Sequence, residues 1–282
     1  LFISSYSYGW DTVQTQIEGI KAGVDENTTI DYEFMDTKRF RTDEWLNMFH
    51  DMLKYHLENT DPYDVVIVGD DAALQFAMEY REELFPEIPV VFEGVNDEEY
   101  AMKAAENPLV TGIIEKLSVE KNIDMALKVN PTADAERKNF YNSAENYPEL
   151  EFSEINAAEL ETARLQQAIS KVDDKTILIY IVMSKDGSGK QYTSDQAVRM
   201  VVNYSKVPVY RMVEAGIGDG LLGGNVVSMY KSGEIAAQMA MDIANGTDSA
   251  EINVVKDSPN IYCVDDVLKE NNPDHQLRSR NN

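Results

Sequence analysis

Residues Tyr63–Ala73 read YDVVIVGDDAA. The branched apolar run Val65–Val68 is too short for a helix and suits a strand buried on both faces. Gly69-Asp70-Asp71 ends the run as a turn, and either aspartate can cap the helix that follows over Ala72–Leu84. A buried strand, a short acidic loop and a helix make one β-loop-α unit of a parallel sheet.

Outward from this unit the same alternation recurs. Before it lie a strand at Leu1–Ser4, a helix at Thr12–Gly23, a strand at Ile30–Met35 and a helix at Thr42–Glu58. Val13, Ile17 and Ile20 share one face of the first helix. After it come a strand at Pro89–Phe92, a helix at Glu98–Glu106, a strand at Val110–Ile114 and a helix at Ser118–Val129. Beyond Asn130-Pro131 the alternation fails, because Thr132–Tyr147 reads as a second polar helix with no strand between. One helix joins each pair of parallel strands, so a strand and its loop are expected to be missing here. The rhythm resumes with strands at Leu150–Ile155, Thr176–Met183 and Val207–Met212, separated by helices at Glu159–Lys171 and Ser194–Asn203. Thr193 and Gln196 fit a capping box at the start of the latter helix. A glycine-dense loop, Gly216–Gly224, precedes a strand at Asn225–Met229. A helix at Ser232–Asn245, strands at Ile252–Val255 and Pro259–Val264, and a polar tail from Asn271 complete the chain. The pattern predicts an α/β fold in two halves, with a break near Glu115–Ser118.

A chain of 282 residues buries a core for two lobes of roughly 100–150 residues each. No stretch approaches the ~18–20 consecutive apolar residues of a membrane-spanning helix. With 50 acidic against 25 basic residues, the net charge is −25. That balance excludes nucleic acid and anionic membrane surfaces as partners. It serves solubility, or it steers a cationic ligand. Cys263 is the single cysteine, which excludes an intramolecular disulfide and a cysteine zinc cluster. Leu1-Phe2-Ile3 opens directly as a strand without an initiator Met, as expected of a mature fragment whose targeting or membrane segments have been removed.

Gly218-Asp219-Gly220-Leu221-Leu222-Gly223 matches G-x-G-x-x-G, but a strand rather than a helix is expected next. Asp219 would also set a negative charge where a pyrophosphate lies. A close-approach loop is the better reading. Ser188-Gly189-Lys190 lacks the first glycine of a phosphate loop, and Gln191 stands where Ser or Thr would hold magnesium. His50 and His56 lie ~240° apart around a helix, so they do not suggest a metal site. No catalytic set, metal or cofactor is expected. Ligands of open α/β sheets bind beyond the carboxyl ends of the strands. Those loops nominate Ser5, Tyr6, Ser7, Tyr8 and Trp10, then Asp70, Asp71, Glu93 and Asn96. From the second half they nominate Ser184, Arg211 and Glu214. Arg211 is the candidate to hold a ligand carboxylate, although an interlobe or surface salt bridge is the stronger expectation for it.

Leu1–Trp10, Tyr32–Arg39 (YEFMDTKR), Tyr63–Ala73, Pro89–Asn96 (PVVFEGVN), Thr111–Leu117 (TGIIEKL) and Val209–Gly224 together resemble a known family. It is the ABC-transporter substrate-binding-like family of type I periplasmic-binding folds. More narrowly, the motifs resemble its version in the extracytoplasmic sensor domains of bacterial histidine kinases and diguanylate cyclases. The resemblance implies two Rossmann-like lobes with parallel sheets and three interlobe crossovers. Residues 1–116 with about 230–256 would form lobe 1, and 117–229 with about 257–282 lobe 2. It further implies a cleft that closes on a ligand, and the hydroxyls, rings, carboxylates and one arginine nominated above suit a small organic one, amino-acid-like or aromatic. The chain itself would be no enzyme. It would be extracytoplasmic, anchored by transmembrane segments and dimeric through a parent signalling protein. In the family, a strand and a binding loop occupy the region of Pro131–Ala135. Two further readings are a free-standing receptor of an ABC importer and a Rossmann-like enzyme acting on a small metabolite.

Overall fold

The protein is described from a computed structural model covering residues 1–129, 134–135, 146–148, 150–151, 153–214, 216–257 and 259–264. Its chain divides into two compact units, Leu1–Lys116 with Ser228–Pro259, and Leu117–Val227 with Asn260–Asn282. It passes between them after Lys116, after Val227 and after Pro259.

The first unit is built on β1 (Phe2–Ser4), β2 (Tyr32–Phe34), β3 (Val66–Gly69), β4 (Val90–Val95) and β5 (Val110–Ile114). Their spatial order is β2-β1-β3-β4-β5, and every pairing is parallel. The order reverses between β1 and β3, the kind of switch point where such sheets bind ligands. Alternate side chains of the strands feed two cores. Ile3, Val66, Val68 and Phe92 pack with Phe49, Leu53, Leu74 and Phe85 on one face. Phe2, Ile67 and Val91 pack with Val13, Ile17 and Ile20 on the other. The supporting helices are α1 (Asp11–Gly23), α2 (Asp43–Glu58), α3 (Asp71–Glu79), α4 (Arg81–Leu84) and α5 (Glu98–Ala104). The single helix expected over Ala72–Leu84 is thus two, broken at Tyr80, where ψ is 19°.

One more helix, α6 (Val119–Val129), opens the second unit, followed by β6 (Asp134–Ala135), α7 (Thr162–Ser170), β7 (Thr176–Tyr180), α8 (Ser194–Tyr204), β8 (Val209–Arg211) and β9 (Gly223–Val227). The chain then returns to the first unit as α9 (Met229–Ala244), capped by the Ser228 hydroxyl. Glycines fit α9 against α1. A Cβ on Gly19 would lie 1.9 Å from the Tyr230 carbonyl oxygen, and one on Gly233 would lie 2.4 Å from that of Gln16. Ile252–Val255, expected as a strand, meets β5 only through Val255, which bridges Ile113. Two hydrogen bonds flank that bridge, and the rest of the segment has no ladder to join.

The second sheet runs β10-β9-β8-β7-β6, with β10 (Asn260–Val264) antiparallel to β9. This sheet is therefore mixed rather than wholly parallel. An antiparallel strand closes the edge at β9 without a crossover helix. The strand expected to be missing is present in short form, since Asp134 pairs with Thr176 and Ala135 with Ile177. The polar helix expected over Thr132–Tyr147 falls largely outside the described residues, as does the tail from Asn271. No strand forms among the described residues of Leu150–Ile155. A two-residue β6 offers too short an edge to pair with, and Leu150 and Ile155 pack on core residues instead. The capping box of Thr193 and Gln196 forms at α8.

Candidate functional site

In the first unit the site is built at the carboxyl end of the parallel strands. Ser5 is fully buried. Its hydroxyl donates to Gly69 O (2.8 Å) and accepts from Ala73 N (2.8 Å). That hydroxyl is committed to joining β1, β3 and α3, although the sequence nominated it for ligand contact. Beyond it the loop turns outward, with Ser7 O accepting from Trp10 N. The Tyr6 and Trp10 rings lie 6.1 Å apart at 53°. Lys38 sits over both, 4.1 Å from the Tyr6 centroid and 5.4 Å from that of Trp10. Trp10 and Tyr8 are exposed, and Tyr8 meets Phe34 edge-on.

Asp70 follows β3 with φ 71° and ψ 168°, a conformation ordinarily left to glycine. Holding it there costs about 1–3 kcal/mol. The side chain is buried, accepts a hydrogen bond from the Tyr6 hydroxyl and lies 3.4 Å from Gln16 Nε2. Burial is the main cause that pushes Asp70 up to about 6. The same burial and the Asp70 hydrogen bond push the Tyr6 hydroxyl well above its ordinary value. Asp71 accepts from the backbone N–H of Asn96 (3.1 Å) and Asp97 (3.0 Å), which ties α3 to the loop after β4. Glu93, in register with Gly69, is fully buried, and neither carboxyl oxygen has a hydrogen-bond partner. Ser232 and Gln16 are its polar neighbours, but burial and Asp70 dominate and raise it well above the carboxylate range.

Sequence reasoning missed three members of this cluster. Glu115 directly follows β5, inside a stretch quoted for its resemblance, and burial with Asp70 and Asp71 pushes it up to about 8. Asn96, exposed in the loop, hydrogen-bonds to it. Gln16 comes from the buried side of α1, and Lys38 from the loop after β2. Gly94 has φ 66°, and a Cβ there would lie 3.0 Å from Gln16 Nε2 and 3.8 Å from Asp70 Oδ2. Gly94→Ala is expected to cost about 1–2 kcal/mol for the left-handed backbone alone. It should also displace the Gln16 amide, which a lowered melting temperature and a shifted Asp70 titration by NMR would register.

In the second unit Arg211 is buried at the end of β8. Its guanidinium lies 4.6 Å from the Tyr180 centroid and donates to Ile181 O (3.0 Å). Its Nε has no hydrogen-bond partner, and among the described residues it makes no salt bridge. Burial accordingly lowers its pKa. Ser184 is exposed, its carbonyl bonded to Tyr192 N. Glu214 is half-buried, its carbonyl accepting from Ile217 N. Gly216, Gly218 and Gly220 all have positive φ, and the loop feeds β9 rather than a helix. The close approach is at Gly224, where a Cβ would lie 2.0 Å from Arg211 O. Ser188–Lys190 is a turn wrapped on Asp186, which accepts from Ser188 Oγ (2.6 Å), Thr162 Oγ1 (2.5 Å) and the Tyr192 hydroxyl (2.9 Å). Those bonds hold Asp186 well below the usual carboxylate range.

No family model matches the chain. A tyrosine-binding protein of Clostridioides difficile is 24% identical over 199 residues. The match takes in 65% of this chain and spans 56% of that relative's length. Among solved structures, a ligand-free, open substrate-binding protein with adhesive properties from Clostridium difficile has a TM-score of 0.65 at 16% identity. It covers 99% of this chain and 96% of its own. An ABC domain in complex with L-Trp from Streptococcus pneumonia has a TM-score of 0.61, also at 16% identity, covering 96% and 93%. A 5-methylthioribose transporter solute-binding protein from Thermotoga lettingae has 0.57 at 11% identity, covering 96% and 87%. These likenesses give the fold, which is the type I periplasmic-binding fold.

Proposed function

We propose that this chain is an extracytoplasmic substrate-binding protein of the ABC-importer type, and that it captures a small aromatic amino acid. The observation that carries the reading is the Tyr6–Trp10 ring pair set beside buried Asp70 at the end of a parallel sheet. Rings at such a position stack on an aromatic ligand, while a few convergent polar groups fix its orientation. The named relatives add weight, since one binds tyrosine and one holds L-Trp. Tyr6, Ser7, Tyr8, Trp10, Asp70, Asp71, Glu93 and Asn96 remain the proposed ligand residues of the first unit. In the second, Ser184, Glu214 and Arg211 are proposed, with Arg211 as an anion seat. A sensor domain would share this capture step and differ only in the output coupled to it. The importer reading is preferred because the similar structures include named substrate-binding proteins.

A thermal-shift screen of L-tyrosine, L-tryptophan, L-phenylalanine and 5-methylthioribose tests the proposal. At a hundredfold excess over the dissociation constant, a true ligand stabilises the fold by about 2.7 kcal/mol. Stabilisation by the sugar and by none of the amino acids overturns the reading. Trp10→Ala should weaken binding of the aromatic ligand by about 3–10-fold, on the scale of one ring contact, with an unchanged melting temperature. Titration calorimetry on the two proteins measures both the loss and the intact binding stoichiometry.

A further inference from the structure

We propose that the outer face of α2 is a docking surface for a basic amphipathic helix of a partner protein. None of its residues is among the proposed ligand residues, so its test is independent of capture. Helix α2 (Asp43–Glu58) buries Phe49 and Leu53 in the core of the first unit. The side turned away from that core is not polar, as a solvated helix face would be. Met48 is 64% exposed and Tyr55 65%, and exposed Met52 and half-buried Trp45 complete the row. Trp45, Met48, Met52 and Tyr55 stand at i, i+3, i+7 and i+10, the a and d positions of a seam that receives a second helix. Phe40 is exposed too and extends the row ahead of the helix, its ring 4.7 Å from that of Trp45. The Trp45 indole is fixed in place, its N–H donating to Met35 O (2.6 Å). A preset aromatic flanked by methionines is the composition of an interface core. Leu117, Val182, Tyr204 and Ile261 are also exposed, but each stands on a different segment.

Charge selects the occupant. Glu44, Asp51 and Glu58 are exposed and recur every seventh residue along one edge of the seam, at the g positions. Among the described residues no lysine or arginine forms a salt bridge with this row. Asp51 meets only the ring of His50 in a hydrogen bond, at 3.0 Å. Lys54 is the single lysine or arginine of α2, and Glu83 holds it at 2.6 Å. On the other edge, at the e positions, Phe49 is buried and His56 is bonded to Glu33 (2.7 Å). The helix that fits carries an apolar seam bordered by lysines or arginines that face the acidic row.

A second copy of this chain does not supply those cations. Antiparallel pairing of two α2 helices sets acid against acid, Asp51 facing Asp51 and Glu44 facing Glu58. Parallel pairing aims the row at Phe49 and His56, both already engaged. Each copy also carries a net charge of −25, which opposes self-association.

Three synthetic peptides of three heptads each test the surface by fluorescence anisotropy. One has leucine at a and d with lysine at e and g, one has glutamate at e and g instead, and one scrambles the order of the first. The lysine peptide should bind at least about tenfold more tightly than the other two, and more weakly as salt rises. Hydrogen exchange should slow over α2 when it binds. Met48→Gln with Met52→Gln should weaken it by about tenfold or more at an unchanged melting temperature, since both side chains are exposed. Glu44→Lys, Asp51→Lys and Glu58→Lys together should reverse the preference, so that the glutamate peptide binds more tightly. If that triple variant fails to fold, the glutamine pair and the peptide series decide. No binding of the lysine peptide overturns the proposal. So does equal binding of the scrambled peptide, or binding that the glutamine pair leaves unchanged, since either means a general attraction to an acidic protein. A dimer in sedimentation that the glutamine pair abolishes would give the face to a second copy and overturn it as well.

Discussion

Gly19→Leu is expected to unfold the first unit. The α-carbon of Gly19 faces the backbone of α9, and an added Cβ would lie 1.9 Å from Tyr230 O and 2.8 Å from its carbonyl carbon. Backbone cannot rotate aside as a side-chain tip does, so the helices must separate. Gly23 and Gly233 repeat the close approach, at 2.5 Å from Glu234 O and 2.4 Å from Gln16 O. Separation would expose Ile17, Ile20, Ala236 and Ala240 along with the Phe2, Ile67 and Val91 face of the sheet. Overpacking a tight contact ordinarily costs about 1–3 kcal/mol, and the loss of a whole layer takes the cost beyond about 4. Gly9→Ala is the control, since nothing lies within 4 Å of a Cβ there. The two tryptophans, Trp10 and Trp45, both belong to the first unit, so their fluorescence reports its unfolding in urea. A Gly19→Leu midpoint within experimental error of Gly9→Ala would refute the proposed packing.

The two units are expected to respond to pH with opposite signs. In the first, Asp70 and Glu115 are raised to about 6 and about 8, and Glu93 is raised well above its ordinary range. The folded unit thus holds protons that the unfolded chain sheds near pH 4. Their contribution is complete below that pH and is lost as pH rises through 6 and 8. At ~1.4 kcal/mol per pH unit of displacement, Asp70 and Glu115 together remove on the order of 5 kcal/mol between pH 5 and pH 8. In the second unit Asp186 is lowered by its ring of donors, so its contribution holds above about pH 4 and is lost as pH falls. Urea titrations by tryptophan fluorescence at pH 5 and 8 follow the first unit, and hydrogen exchange over α7 and β7 follows the second. Glu115→Gln should flatten the first slope. A first unit more stable at pH 8 than at pH 5 would contradict the burial of this cluster.

The strands of the first unit were legible because parallel strands covered on both faces read as unbroken apolar runs, as in Val66–Val68. Two residues of β6 leave no such run, and the apolar residues of Leu150–Ile155 pack without pairing. The α1–α9 contact was illegible for another reason. Gly19 and Gly233 are far apart in the chain, and a glycine alone does not say what approaches it. Strand-end topology put Tyr6, Trp10 and Asp70 in loops, as the structure has them, whereas Glu93 lies inside β4, which runs on to Val95. Glu115 had no distinguishing mark among 50 acidic residues until its burial beside Asp70 was known. Ser5 fitted the loop by chemistry, yet its hydroxyl is held between β3 and α3.

The return of the chain through α9 also bears on synthesis. Domains commonly fold as they leave the ribosome, amino-terminal part first. Here residues Leu1–Lys116 supply all five strands of their sheet but not the helix that covers the α1 face. That helix is translated only after the second unit's first four strands. A nascent chain halted at Lys116 leaves the apolar layer on the α1 side uncovered until Ser228–Pro259 emerges. The second unit waits in turn for β10 (Asn260–Val264), so neither unit has all its elements until the other's main segment has been made.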